Sequence, residues 1–195
     1  MDLKFPHHEC EIAQNVAANK TENPVGYWIH GNMLTVNGRK MSKSEGNGFT
    51  PEELITGNHQ LLKRGYSPMT VRFFMMMGHY ASTLDFSNDA LIAAEKGLSK
   101  LTNAVEALGK LEGSSEINKD VDVAELSQKC YDAMNDDFNT AVVIAHMNEG
   151  LRNLNTAVQN NDTSSLEDLA ITMTAWEQAG QILGLFFQTP EQFEA

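Results

Sequence analysis

The chain has 195 residues, of which 42% are hydrophobic and 21% charged, and its formal net charge is −12. That length suits one ordinary domain or two small ones, and the composition excludes a disordered tail. No apolar run approaches the ~20 residues of a membrane span, and the start Met1-Asp2-Leu3-Lys4 lacks the apolar core of a signal peptide.

Residues 7–20 are predicted to form a helix, with Pro6 pre-setting its start and Phe5, Ile12, Val16 and Ala17 giving a modest apolar face. His7 and Glu11 lie four apart and share one helix face, which makes either a metal half-site or an ordinary polar helix start. Asn23-Pro24-Val25-Gly26 is a turn. Tyr27-Trp28-Ile29-His30 and Met33-Leu34-Thr35-Val36 are predicted strands, rich in aromatic and β-branched residues. His30 reads as a polar residue at a strand end, with approach to a ligand as the alternative. Asn37-Gly38 predicts a tight turn that leads straight into Arg39-Lys40.

The next stretch, Lys40-Met41-Ser42-Lys43-Ser44-Glu45-Gly46-Asn47-Gly48, is cationic, hydroxyl-rich and glycine-flanked. Such a loop suits a polyphosphate: lysines supply positive charge, hydroxyls and backbone N–H groups supply donors, and glycines let the backbone come close. The competing reading is a solvated basic turn. Thr50-Pro51-Glu52-Glu53 then has the pattern of an N-cap, a first-turn proline and a capping-box glutamate. That helix is predicted to reach Ile55 or Thr56, with another over Gln60–Lys63. Ser67 caps a further helix carrying Val71, Phe73, Phe74, Met75, Met76 and Met77, where the methionines are expected to be buried.

From Ser87 onward the pattern is four helical stripes: Leu91 to Leu108, Val123 to Met134, Ile144 to Val158, and Leu166 to Leu183. Loops at 113–120 and 160–164 separate them, and the tail from Gln188 is polar. Short connections and matched stripes predict an antiparallel bundle. Cys130 lies on a stripe and is expected to be an inert core thiol. Only Cys10 and Cys130 occur, so no disulfide framework forms and a cytoplasmic location is expected. Residues 1–80 carry a net charge of +1 and residues 81–195 carry −13. The second part therefore has no basic footprint for nucleic acid.

Lys40-Met41-Ser42-Lys43-Ser44-Glu45-Gly46-Asn47 resembles the KMSKS-x-GN signature of class I aminoacyl-tRNA synthetases. The flanks narrow the resemblance to the cysteinyl-tRNA synthetase family. The segment from Asp2 to Gln14 is similar to its DLxFPHHENEIAQ pattern, and Tyr27-Trp28-Ile29-His30 is similar to the strand before its loop. His79-Tyr80 with Leu84-Asp85-Phe86-Ser87 resembles its HYRSPLNYS. Ala133-Met134-Asn135-Asp136-Asp137-Phe138-Asn139-Thr140 resembles the AMDDDFNT stretch of its DALR helical domain. The similarity runs over essentially the whole chain.

The resemblance implies a mainly α fold: the end of a Rossmann catalytic domain over 1–38, the KMSKS loop and connecting fold over 39–87, and a DALR-type bundle over 88–195. It implies a ligase that activates cysteine with ATP and magnesium and transfers it to tRNA(Cys). Lys40 and Lys43 would be catalytic, and Lys40, Met41, Ser42, Lys43 and Ser44 would contact ATP. His7 and Glu11 would be zinc ligands. The family's HIGH motif and its two zinc-ligating cysteines are absent, and Cys10 stands where the pattern has asparagine. A piece of the enzyme, inactive alone, is the expectation. Ala81 replaces a usual arginine, and Glu45, inside the loop, is expected to face away from phosphate. Strands 27–30 and 33–36 would lack sheet partners, leaving edges open to pairing between chains. Two alternatives remain: a mycothiol-pathway cysteine ligase, and a non-catalytic RNA-binding helical module.

Overall fold

Asn37 and Gly38 both take positive φ, 49° and 74°, the left-handed geometry of a tight hairpin turn. They join β1 (Leu34–Val36) to β2 (Arg39–Lys40), which pair antiparallel. The computed structural model describes residues 4–42, 44–109, 124–159 and 180–185. Two units make up the chain: residues 1–49 with 80–87, and residues 50–79 with 88–195.

In the first unit an irregular turn at Lys4–His8 leads into α1 (Glu9–Asn19), which has no buried residue. β3 (Leu84–Phe86) pairs parallel to β1, giving the order β2-β1-β3. The parallel pairing is extended by Asn32, whose N–H donates to the Tyr80 carbonyl at 2.9 Å, and by Leu84, whose N–H donates to the Met33 carbonyl at 3.1 Å. Val36 and Phe86 are buried at 2% and 3% exposure, and Phe49 lies against Phe86 with ring centroids 6.2 Å apart.

Two expectations fail here. Residues 27–30 form no strand; Tyr27 is 92% and Ile29 59% exposed. Aromatic and β-branched content makes a strand only beside a neighbour that takes its hydrogen bonds. Nor is 33–36 an orphan edge, because β1 is the central strand with a partner on each side. The premise for edge-to-edge pairing of chains through these two segments therefore falls.

The second unit is helical. α2 (Pro51–Thr56) carries the expected capping box: the Glu53 N–H donates to Thr50 Oγ1, and Glu53 Oε2 accepts from the Thr50 N–H at 2.8 Å. No helix forms over 60–63. Asn88 takes the backbone here instead: its Nδ2 donates to the Leu61 carbonyl, an acceptor that a helix would use, at 2.7 Å, and its Oδ1 accepts from the Lys63 N–H at 2.8 Å. Gly57 (φ +76°) and Gly65 bring two backbones into contact; a Cβ on Gly65 would lie 2.2 Å from the Ile55 carbonyl oxygen.

α3 (Pro68–Met76) is capped by Ser67, whose side chain accepts from the Thr70 N–H. Its buried residues are Thr70, Phe73 and Phe74, spaced i, i+3, i+4 on one helix face. Met75 turns to the other side and is 46% exposed, and Met77, on the Phe73 and Phe74 side but at the C-cap just past the helix end, is 44% exposed, so the expected methionine core is corrected to a phenylalanine core. α4 (Asn88–Gly109) packs on α3, where Gly97 gives Phe73 room. α5 (Ala124–Asn135) and α6 (Thr140–Gln159) form a helical hairpin through residues 136–139, and α6 also meets α4. Leu91, Ala94, Leu98 and Leu101 of α4, with Val143, Ile144, Met147 and Leu151 of α6, build the core. Each fully buried leucine, isoleucine or methionine there contributes roughly 1.5–3 kcal/mol.

Cys130 is fully buried, and burial pushes its thiol pKa up, as expected of an inert core thiol. The predicted loop at 113–120 and most of the fourth stripe lie outside the described residues. A last helical turn ends at Leu183, whose carbonyl accepts from the Arg72 guanidinium at 2.7 Å.

Candidate functional site

The hairpin delivers Lys40 at the end of β2, exposed, with Met41 and Ser42 half-buried behind it. The Met41 N–H still reaches back to the Leu34 carbonyl, at 3.4 Å, so the sheet edge continues one residue past β2. Residues 44–46 then turn, with Gly46 at φ +62°. Ser42 Oγ and Ser44 Oγ are hydrogen-bonded at 2.7 Å, and the Glu45 N–H donates to Ser42 Oγ at 3.4 Å. Glu45 is exposed. Lys43 lies outside the described residues.

Asn47 had no role in the sequence reading, yet it holds the loop. It is buried at 8% exposure. Its Nδ2 donates to the Lys40 carbonyl at 3.1 Å, and its Oδ1 accepts from the Ser42 N–H at 2.8 Å. The Ser42 N–H is therefore already occupied, which narrows the donor set for a phosphate here toward ammonium and hydroxyl groups. The signal for Asn47 lay in the quoted string itself. A carboxamide five residues after Ser42 is short enough to fold back on its own loop.

His7 and Glu11 are both exposed, at the start of α1 and just before it. Among the described residues no group of three His, Cys, Asp or Glu side chains could hold a metal. The donors present do not make a metal site by themselves. Cys10 is exposed and free. The neighbouring histidine is the one with partners: His8 Nδ1 and His30 Nδ1 are 2.8 Å apart, their rings stack at 4.8 Å, and the Trp28 ring is tilted 5.6 Å from His8. One nitrogen must donate and the other accept, so the pair cannot carry a proton on both facing atoms. The His30 pKa is lowered by desolvation first, then by the charges of Lys4 and His8. His30 is thus a paired residue facing α1's start rather than a lone polar strand end.

Residues 1–96 match the family model of the tRNA synthetases class I (C) catalytic domain, and residues 129–188 match the DALR domain. The chain belongs to the class I (C) tRNA synthetase family. Within it, the chain is similar to cysteine–tRNA ligases: 53% identical over 169 residues to that of Bacteroides thetaiotaomicron, covering 87% of this chain and 34% of the relative. It is 53% identical over 160 residues to that of Cytophaga hutchinsonii, covering 80% and 32%. It is 40% identical over 186 residues to that of Chlorobaculum tepidum, covering 95% and 36%. The chain spans about a third of the length of the curated relatives it matches. The mainly helical fold with a small sheet, expected from the sequence, agrees with these matches. Among the described residues no helix is long and apolar enough to cross a membrane.

Proposed function

We propose that this chain carries the ATP-facing loop and helical domain of a cysteine–tRNA ligase. Such an enzyme activates cysteine with ATP to cysteinyl-adenylate and transfers the cysteine to tRNA(Cys). The observation that carries the reading is the similarity to cysteine–tRNA ligases over 87% of the chain, with the signature string intact at 40–47. In the reaction a cysteine carboxylate oxygen attacks the α-phosphorus of ATP. The bond from that phosphorus to the bridging oxygen breaks, and pyrophosphate leaves with the electron pair, accompanied by magnesium. Lys40 and Lys43 are assigned to the charge that grows on pyrophosphate. A cation aimed there stabilises the transition state more than the ground state. Met41, Ser42 and Ser44 are assigned to the ATP side of the loop.

His7 and Glu11 are kept as two donors of a zinc site whose other ligands lie outside this chain. The domain boundaries proposed are 1–38, 39–87 and 88–195. Two free cysteines suit a reducing cytoplasm.

The test is a chimera in which this chain replaces the corresponding segment of the Bacteroides thetaiotaomicron ligase. Cysteine-dependent exchange of pyrophosphate into ATP is the readout. The folded chimera is expected to retain exchange, and Lys40→Ala or Lys43→Ala to lower it by about 10²–10³. The isolated chain is expected to give none. A chimera with the parent's circular dichroism and melting behaviour but no exchange would overturn the assignment.

A further inference from the structure

We infer that Asn47 is the positioning residue of the loop, acting as a substitute strand that fixes which side chains the loop presents. The inference rests on the polyphosphate reading above. In an extended chain the N–H and C=O of one residue face one edge, and the C=O before it and the N–H after it face the other. Met41 obeys this on its first edge, where its N–H bonds the Leu34 carbonyl of β1. Its second edge carries the Lys40 carbonyl and the Ser42 N–H. The Asn47 carboxamide takes both groups there: the Lys40 carbonyl through Nδ2 at 3.1 Å and the Ser42 N–H through Oδ1 at 2.8 Å. A carboxamide carries one donor face and one acceptor face, as a peptide unit does. It therefore pairs with Met41 as a neighbouring strand residue would.

The consequence is directional. Side chains alternate along an extended run. With Met41 held on both edges, its side chain packs at Gly48, where an added Cβ would come within 3.6 Å of Met41 Cγ. Lys40 and Ser42 then share the opposite face. Asn47 at 8% exposure is shielded from water, so its two hydrogen bonds are not readily exchanged for solvent. Asn47 touches no phosphate in this reading. It sets the side on which an ammonium and a hydroxyl are offered together.

No other side chain of similar size does the same. Aspartate accepts from Ser42 but, ionised, faces the Lys40 carbonyl with a second acceptor. Alanine does neither, and serine reaches with one atom.

The experiment uses the full chain with amide NMR and inorganic pyrophosphate as the probe. In the unsubstituted chain the Ser42 amide is expected to exchange at least about tenfold more slowly than an unbonded amide, which corresponds to about 1.4 kcal/mol of protection. Asn47→Ala is expected to abolish that protection and weaken pyrophosphate binding several-fold, while amides of Phe73 and Val143 stay protected. Asn47→Asp is expected to bind pyrophosphate weakly at pH 7. It should recover as the pH falls through the carboxyl's own pKa, because the protonated acid can donate to the Lys40 carbonyl; the unsubstituted chain, measured in parallel, corrects for the probe's own titration. That recovery separates positioning from a merely structural role. An unprotected Ser42 amide, or an Asn47→Ala chain that binds pyrophosphate as well as the original, overturns the inference. A chain that shows the Ser42 protection but binds no pyrophosphate sinks the phosphate reading of the loop instead, and with it the claim that the clip serves a ligand.

Discussion

Asp85 and Gly38 are 47 residues apart and are joined by one hydrogen bond: the Gly38 N–H donates to Asp85 Oδ1 at 2.8 Å. The same oxygen accepts from Thr35 Oγ1 at 2.7 Å. One carboxylate on β3 thus holds both the middle of β1 and the turn that leads into the lysine loop. Hydrogen bonds to a charged acceptor are stronger than neutral ones. Asp85→Ala is expected to cost about 1–2 kcal/mol, read as a lower urea midpoint at unchanged slope, with the Gly38 amide resonance shifted. An unchanged midpoint would show that the carboxylate contributes nothing to the turn.

The crossing of Gly57 and Gly65 admits no side chain on either strand of the loop. A Cβ at Gly57 would lie 2.3 Å from the Gly65 nitrogen, and Gly57 also has φ +76°. The obstructing atoms are backbone, so they cannot swing aside. Gly65→Ala is expected to destabilise the second unit by more than about 2 kcal/mol, seen as a fall in thermal midpoint. Gly26→Ala, with nothing within 4 Å, is the control and is expected to leave the midpoint in place.

Glu53 gives the capping box a pH dependence. Its pKa is lowered from 4.5, first by the Thr50 backbone N–H and then by the Thr50 side chain. A carboxyl with a depressed folded-state pKa contributes stability that is fully present above its unfolded value and lost as pH falls through the folded one. The Glu53 contribution is therefore expected to persist at pH 7 and to disappear in acid below the usual carboxylate range. Comparing unfolding of the original and Glu53→Gln from pH 7 down to pH 3 checks this. The difference between them should shrink toward acid, and a difference that grows there would refute the assignment.

The two thiols should separate in reactivity. Cys10 is exposed and Cys130 is buried, with its pKa raised by burial. Thiolate is the reactive form. A maleimide or disulfide reagent at pH 8 is expected to label one thiol in the native chain and both in denaturant. Native labelling of Cys130 at the rate of Cys10 would mean that the core around α5 opens readily.

Local signals in the sequence were read correctly, and partner-dependent ones were not. The Thr50 and Ser67 caps, the Asn37-Gly38 turn and the described parts of the stripes of α4 to α6 are each decided within a few residues, and each is in place. The segment 27–30 has strand composition but no neighbour to pair with. Gln60 to Lys63 loses its helix to Asn88, a residue 25 positions away from Lys63, which no local window contains. β3 went unread as a strand because Leu84-Asp85-Phe86 is only three residues long and is defined by a partner far back in the chain. In the site, the lysines and serines stood out by chemistry. Asn47 did not, because an asparagine among glycines looks like turn filler until its two hydrogen bonds are seen. The methionines misled for a related reason: hydrophobicity placed Met75 and Met77 inside, whereas the helical period that buries Phe73 and Phe74 turns Met75 out, and Met77 is the C-cap where the helix ends.

The parallel pairing of β1 with β3 sets an order of events during synthesis. The hairpin that carries Lys40 leaves the ribosome with one flank of β1 unpaired, and the residue that secures its turn, Asp85, follows 47 positions later. Residues 50–79, which belong to the other unit, must emerge in between. A nascent chain arrested before Phe86 therefore has the whole signature string translated, with its Asn47 contacts within reach, but lacks the β3 strand and the Asp85 contact that secure the turn. Protease sensitivity of the lysine loop in stalled chains of increasing length should drop only after β3 clears the exit tunnel.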